Sequence, residues 1–229
     1  VCRHFDDSVF EQYQSKAIIE NSVGKSYPYK FFGPLWITDA FRKKGKMHRD
    51  FNGFIEQGNE ILSKFPIVEA TNEHFYKTYS YALDLTNWEK DDFGRAVQVV
   101  ELDVNGKRLQ VLNLHGIWTK DKKGDARTIK ECNYIIKAAK RKQIPTIIVG
   151  DFNLLPKTKS IQLLNKEFRN LIDEFKIKST RPDFKDNLEE GKNVVDYIFI
   201  SKGIKVKEFK VIETDISDHL PLMLNFEIE

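Results

Sequence analysis

The chain has 229 residues, 41% of them hydrophobic, and no low-complexity tract, which is enough to enclose one large core. It reads as a single domain over residues 1–229. The formal net charge is only +3 with acids and bases interspersed, which excludes a surface that is cationic all over, so a polyanion must be met locally. Cys2 and Cys132, the only cysteines, lie far apart; a disulfide framework and a Cys-rich zinc site are excluded, and a reducing, cytoplasmic setting is expected.

Asp7-Ser8 followed by Phe10, Tyr13, Ala17 and Ile18 predicts a capped amphipathic helix over Ser8 to Asn21. Gly24 to Pro34 reads as a loop with a short extended part at Tyr29 to Phe32. Within it, Gly24-Lys25-Ser26 is not a phosphate-binding loop, because the earlier glycine position holds Ile19. The basic stretch Phe41 to Arg49 reads as an exposed loop. Beside Trp36 and Phe51 it admits two readings, a nucleic-acid patch with stacking aromatics or a solvated loop whose aromatics are core, and the second is favoured. Asn59 to Ser63 is a short strand closed by Pro66.

From Ala96 to Val104 apolar and polar residues alternate, Asn105-Gly106 signals a tight hairpin, and Arg108 to Leu114 alternates again. Lys120 to Arg127 reads as an exposed loop, and Asp125 to Lys142 as a helix with Ile129, Cys132, Ile135, Ile136 and Ala139 on its apolar stripe. The apolar run Ile144 to Val149 stops at Gly150-Asp151-Phe152-Asn153. Helices are predicted near Ser160 to Leu164 and Phe168 to Phe175, and strands at Val194 to Ser201, Ile204 to Ile212 and Leu220 to Phe226. No stretch reaches the roughly 20 apolar residues of a membrane helix. Hairpins mixed with helices, without regular βαβ alternation, predict an α+β fold of two packed sheets with helices outside.

A strand ending in Gly-Asp-x-Asn puts a carboxylate and an amide two positions apart, on one side of the sheet edge. Joined by the Asp-His couple of Ser217-Asp218-His219, such a pair suits water activation together with metal or phosphate contact. His4, His48 and His74 lack a His or Cys partner at zinc-ligand spacing, so solvated or locally hydrogen-bonded roles are expected for them.

Asn113-Leu114-His115, Gly150-Asp151-Phe152-Asn153, Asp196-Tyr197-Ile198-Phe199 and Ser217-Asp218-His219-Leu220-Pro221 occur in that order at strand ends. In content and order the chain resembles the endonuclease/exonuclease/phosphatase superfamily, from about Gly58 to its end. The resemblance implies a deoxyribonuclease-I-like four-layered sandwich of two mostly antiparallel sheets. It also implies a phosphoesterase dependent on Mg²⁺ or Mn²⁺. By that resemblance His219 is the catalytic histidine and Asp196 the carboxylate that orients it. Asp151 positions or deprotonates the attacking water, and Asn153 donates to the phosphoryl oxygen or the nucleophile. His115 contacts the phosphate, Asp218 lies near a metal or its waters, and Asn113 binds substrate. Apart from the resemblance, Arg181, in a loop after Ser179-Thr180 placed to approach the active site, is a candidate phosphate contact on the substrate.

Members of that superfamily open with a strand carrying a metal-facing Asn and a second ending in Gln-Glu. Neither is found before the predicted helix, so an N-terminally truncated domain with weakened metal binding is expected. Nucleic acid is the favoured substrate because basic loops outnumber apolar ones. A phospholipid or inositol phosphate substrate, and a non-catalytic phosphate-binding scaffold, are the alternatives, and oligomeric state stays open.

Overall fold

The hairpin at Asn105-Gly106 forms because both residues take left-handed backbone, φ 55 and 88, as the tight turn requires. It joins two long neighbouring strands of a computed structural model that describes residues 2–4, 15–39, 41–43, 46–48, 53–82, 93–182 and 193–229. The elements in order are β1 (Cys2–His4), α1 (Ser15–Val23), β2 (Tyr29–Thr38), β3 (Phe41–Lys43), β4 (Lys46–His48), β5 (Ile55–Ser63), β6 (Ile67–Tyr76) and β7 (Ser80–Tyr81). They continue with β8 (Arg95–Val104), β9 (Lys107–His115), α2 (Ala126–Ala139), β10 (Thr146–Asp151), α3 (Lys159–Asn165), β11 (Arg169–Asn170), α4 (Leu171–Glu174), β12 (Asp196–Ile200), β13 (Ile204–Val211) and β14 (Leu222–Ile228).

One sheet runs β1-β5-β2-β7 and a second runs β11-β12-β10-β9-β8-β6. Both are mostly antiparallel, with parallel pairs at β9–β10 and β2–β7. They pack face to face: the Gln98 amide of β8 donates to the carbonyls of Phe31 and Asn59 across the gap. Asn113 of β9 joins this contact, donating to Gln98 at 2.8 Å and to the Glu60 carbonyl at 3.4 Å. Helix α2 covers the outer face of the six-stranded sheet, burying Cys132, Ile135, Ala138 and Ala139. Its start is fixed by a capping box in which Asp125 accepts from Arg127 and Thr128 N–H groups. Two packed sheets with helices outside is thus the architecture expected. Among the described residues no helix is long and apolar enough to cross a membrane.

Several elements depart from expectation. The stretch Phe41 to Arg49, read as a loop, contains the paired strands β3 and β4, with Phe41 opposite His48 and Lys43 opposite Lys46. Its charge did not preclude pairing, since Lys and Arg are usual on exposed strand edges. Strand β2 does not end near Phe32; it passes Pro34 and continues to Thr38, its register shifting between Pro34 and Trp36. A bulge there absorbs the missing proline donor. Strand β6 is absent from the expected elements because it is an edge strand whose middle, Glu69 to His74, is mostly polar and whose two register shifts break its alternation. The Phe168 to Phe175 helix shrinks to α4, capped by Asn170, the second of the two residues of β11. The first helix spans Ser15–Val23, and the remainder of its predicted range, 8–14, lies outside the described residues. Trp36 is buried against Phe93, the core role favoured for it, while the side chains of Phe41 and Phe51 lie outside the described set.

The main core lies between the six-stranded sheet and its helices. Phe152 is fully buried there, edge-on to Tyr197 at 5.5 Å and to Phe199 at 5.6 Å. That ring anchors the Gly-Asp-Phe-Asn segment with its polar residues turned the other way. Gly150 permits the approach of β10 to β9: its φ is 144, and a Cβ would fall 2.0 Å from the Leu114 carbonyl oxygen.

Candidate active site

Three neighbouring strands deliver the first three side chains. Asp151 ends β10 directly opposite His115 of parallel β9 and directly opposite Asp196 of antiparallel β12. Paired residues project to the same face, so imidazole and two carboxylates stand side by side at one sheet edge. The fourth arrives from the loop before β14. His219 Nδ1 lies 2.9 and 3.0 Å from the two oxygens of Asp196, and its Nε2 lies 3.9 Å from Asp151 Oδ2. His115 Nε2 is 3.7 Å from that same Asp151 oxygen.

The two histidines are tuned in opposite directions. The hydrogen bond that its ring N–H donates to Asp196 raises the pKa of His219 above its ordinary value, against the opposing effect of burial. His115 is lowered to about 4, first by burial and then by the Arg95 guanidinium, so it is neutral near pH 7.

Thr180, fully buried, steadies this couple. Its hydroxyl lies 2.7 Å from Asp196 Oδ2, its N–H donates to the Asn193 carbonyl, and its carbonyl accepts from the Leu220 N–H next to His219. Asp151 is held as well, its Oδ1 accepting the Asn153 N–H at 2.7 Å.

A cleft of about 760 Å³ opens over these groups, walled also by Arg95, Trp118, Lys122, Arg181 and Asp218. Arg181 and Asp218 reach it as expected from sequence, paired at 3.6 Å on the rim, with Arg181 Nε also donating to the Asp218 carbonyl. Asn113 does not line it. Its amide is spent between the sheets on Gln98 and Glu60. Sequence reasoning missed Arg95, Trp118, Lys122 and Thr180. Lys120 to Arg127 reads from sequence as an exposed loop, yet Lys122 turns inward to donate to Asn153 Oδ1, its ammonium 5.2 Å from the Trp118 ring centroid. For Arg95 a signal existed: an arginine opening a strand of alternating apolar and polar residues, here buried to 1% exposure.

Among the described residues, Asp151, Asp196 and His219 are a group whose potential metal-ligand atoms converge within 4.8 Å. Asp196 is already engaged by His219 and Thr180, so Asp151 is the carboxylate with an oxygen to spare. A hard divalent cation commonly takes one or two carboxylates, with water and substrate phosphate completing its shell, and this donor set fits that pattern. Asp218, expected near a metal, stands outside the trio with its side chain 52% exposed.

A sequence profile described as the endonuclease/exonuclease/phosphatase family matches residues 12–219. The chain belongs to that family. A UPF0294 protein of Vibrio vulnificus strain YJ016 is 30% identical over 129 residues, which cover 54% of this chain and 41% of that protein. The chain therefore spans less than half the length of this relative. Among solved structures, an endonuclease/exonuclease/phosphatase from Beutenbergia cavernae superposes with TM-score 0.69 at 15% identity, covering 100% of this chain and 61% of the other. One from Bacteroides vulgatus gives TM-score 0.65 at 14% identity, covering 94% and 81%. At such identities the likeness shows the shared deoxyribonuclease-I-like fold. Endonuclease/exonuclease/phosphatase enzymes are hydrolases of phosphoester bonds, in general dependent on a divalent metal.

Proposed function

We propose that this chain hydrolyses phosphodiester bonds of nucleic acid, and that His219 is its general base. The observation that carries the reading is the pose of the His219 ring. With its Nδ1–H given to Asp196, the lone pair of Nε2 faces the space beside Asp151 Oδ2, 3.9 Å away. A water held there by Asp151 passes its proton to Nε2 as its oxygen attacks phosphorus and the bond to the leaving ester oxygen breaks; Asp196 supports the imidazolium that forms, and the leaving oxygen takes its proton from solvent water. Neutral His115 and the second amide hydrogen of Asn153 donate to the phosphoryl oxygens, and Arg181 adds positive charge at the rim. A Mg²⁺ or Mn²⁺ ion held through Asp151 would polarise the phosphoryl group and offset the developing charge.

Nucleic acid is preferred because Arg95, Lys122 and Arg181 line the cleft and the Trp118 ring offers a stacking surface for a base. A second reading, a lipid phosphodiesterase, is favoured by one observation: Ile216, three positions before His219, is 85% exposed. The test is hydrolysis of a single-stranded oligonucleotide, of bis(4-nitrophenyl) phosphate and of phospholipid vesicles, each with Mg²⁺ and with Mn²⁺. Oligonucleotide cleavage that disappears in His219→Ala supports the reading. Turnover of vesicles alone moves the assignment to lipid, and silence on every substrate overturns hydrolysis itself.

A further inference from the structure

Two non-glycine residues that flank the cleft hold left-handed backbone, Lys122 at φ 57 and Asn153 at φ 54. Such conformations are unfavourable and persist where the surroundings enforce them, often at functional sites. Here the enforcement is visible. The Lys122 carbonyl accepts from the Leu155 N–H at 2.9 Å, and its N–H donates to the Thr119 carbonyl at 3.1 Å. Two residues on, Gly124 has φ 74, and a Cβ there would meet Thr128 Oγ1 at 2.6 Å and Leu154 Cδ2 at 2.8 Å. The loop is thus drawn tight against the segment that follows Asn153.

The product of that tension is a half-buried ammonium aimed into the cleft. It donates to Asn153 Oδ1 and rests on the Trp118 face. Among the described residues no carboxylate comes within the 4.0 Å of an ion pair with it, whereas Arg181 on the rim has Asp218. A cation held partly out of water without a direct ion-pair partner is unfavourable, Asp151 acting on it only at longer range, and an anionic ligand lessens that penalty. Because an ammonium only donates, it also fixes the Asn153 amide, oxygen toward Lys122 and nitrogen toward the Gly116 carbonyl at 3.4 Å.

We infer that Lys122 is a further catalytic residue of the phosphoesterase proposed above, on which this rests: its ammonium contacts a non-bridging oxygen of the phosphoryl group under attack, and Asn153 positions it. Negative charge grows on those oxygens as the bond to water forms, so a fixed cation there binds the transition state more tightly than the ground state. No proton leaves the lysine. Burial lowers its pKa to about 8, so it still carries its charge near pH 7.

The test uses bis(4-nitrophenyl) phosphate with Mg²⁺ and compares the unaltered chain with Lys122→Met, Lys122→Gly and His219→Ala. Lys122→Met is expected to lower kcat by about 10²–10³ with little change in KM. Lys122→Gly suits the left-handed backbone, and added ethylammonium is expected to restore part of its kcat. A kcat loss below about tenfold, or a loss confined to KM, overturns the inference. So does a Lys122→Gly variant that keeps the parent melting temperature but is not rescued, since the lysine would then serve the loop alone. Hydrolysis that survives in Lys122→Met yet vanishes in His219→Ala sinks this inference and spares the parent reading; an unaltered chain without activity sinks both.

Discussion

The Thr180 hydroxyl and the His219 imidazole meet on one carboxylate, at 2.7 and 2.9 Å from Asp196 Oδ2. Thr180 thereby sets the direction of the Asp196 lone pairs, while its carbonyl ties down Leu220 beside the histidine. Thr180→Val keeps the shape and removes the hydroxyl. It is expected to lower kcat by about tenfold, by analogy with the loss of other outer-shell hydrogen bonds. It is also expected to destabilise the fold by about 1–3 kcal/mol, because the buried acceptor loses its donor. Urea titration and steady-state kinetics measure the two effects separately.

Asp196 is the first cause of the raised pKa of His219, so its charge is open to direct measurement. Titration of the His219 ring by NMR without divalent cations is expected to give a midpoint above the ordinary value of about 6.5. In Asp196→Asn the midpoint falls. If His219 is the base, the acid limb of the pH–rate profile moves to lower pH with it, at a much reduced maximum rate. An unmoved midpoint would mean that the couple does not exist in solution.

His115 makes the opposite contribution to acid stability. Its folded pKa is about 4, below the ordinary value of about 6.5. Between those values the unfolded chain takes up a proton that the folded chain refuses, so stability declines as pH falls from about 6.5 toward 4. His219 runs the other way: its stabilisation is complete below its unfolded pKa and is lost as pH rises through the raised folded value. Urea midpoints at pH 7 and pH 4.5 are expected to differ less in His115→Gln than in the parent. An equal drop in both would assign the acid sensitivity to other groups.

Asp151 is the carboxylate with a free oxygen in the metal-capable trio, and its removal has a distinctive signature. Chelation by EDTA is expected to abolish hydrolysis and added Mg²⁺ or Mn²⁺ to restore it. In Asp151→Asn the half-saturating metal concentration rises by about tenfold or more. A rate loss with the same metal dependence would leave Asp151 as a water-positioning group alone.

What was legible in the sequence was what the chain states locally. The Asn105-Gly106 turn, the Asp125 cap of α2 and the abrupt end of the apolar run at Gly150 each signal their geometry within a few residues. The order of the four short motifs and the family they resemble pointed to His115, Asp151 and Asp196 on neighbouring strands and to His219 just before the last one, and these four side chains converge. Strand β6, the second half of β2 and the β3–β4 hairpin depend on partners distant in sequence, and pairing overrode their polar or proline-bearing composition. Lys122 and Thr180 were hidden for a related reason. Their side chains reach the site through the exact path of loops, a left-handed residue in one case and a double clasp in the other, which spacing does not encode. Asn113 shares a face with His115, as alternation requires, but sits two residues deeper, against the opposite sheet.

The in-register trio His115, Asp151 and Asp196 would make the proposed hydrolysis a gauge of correct strand assembly. Sliding β10 by a single position against either neighbour would send the Asp151 carboxylate to the helix-covered side and put Gly150 or Phe152 in its place. Because β9, β10 and β12 come from separate stretches of the chain, this alignment forms only when long-range pairing is complete. Catalysis regained during renaturation would therefore lag behind the return of helical signal, and the delay would time the closing of the sheet.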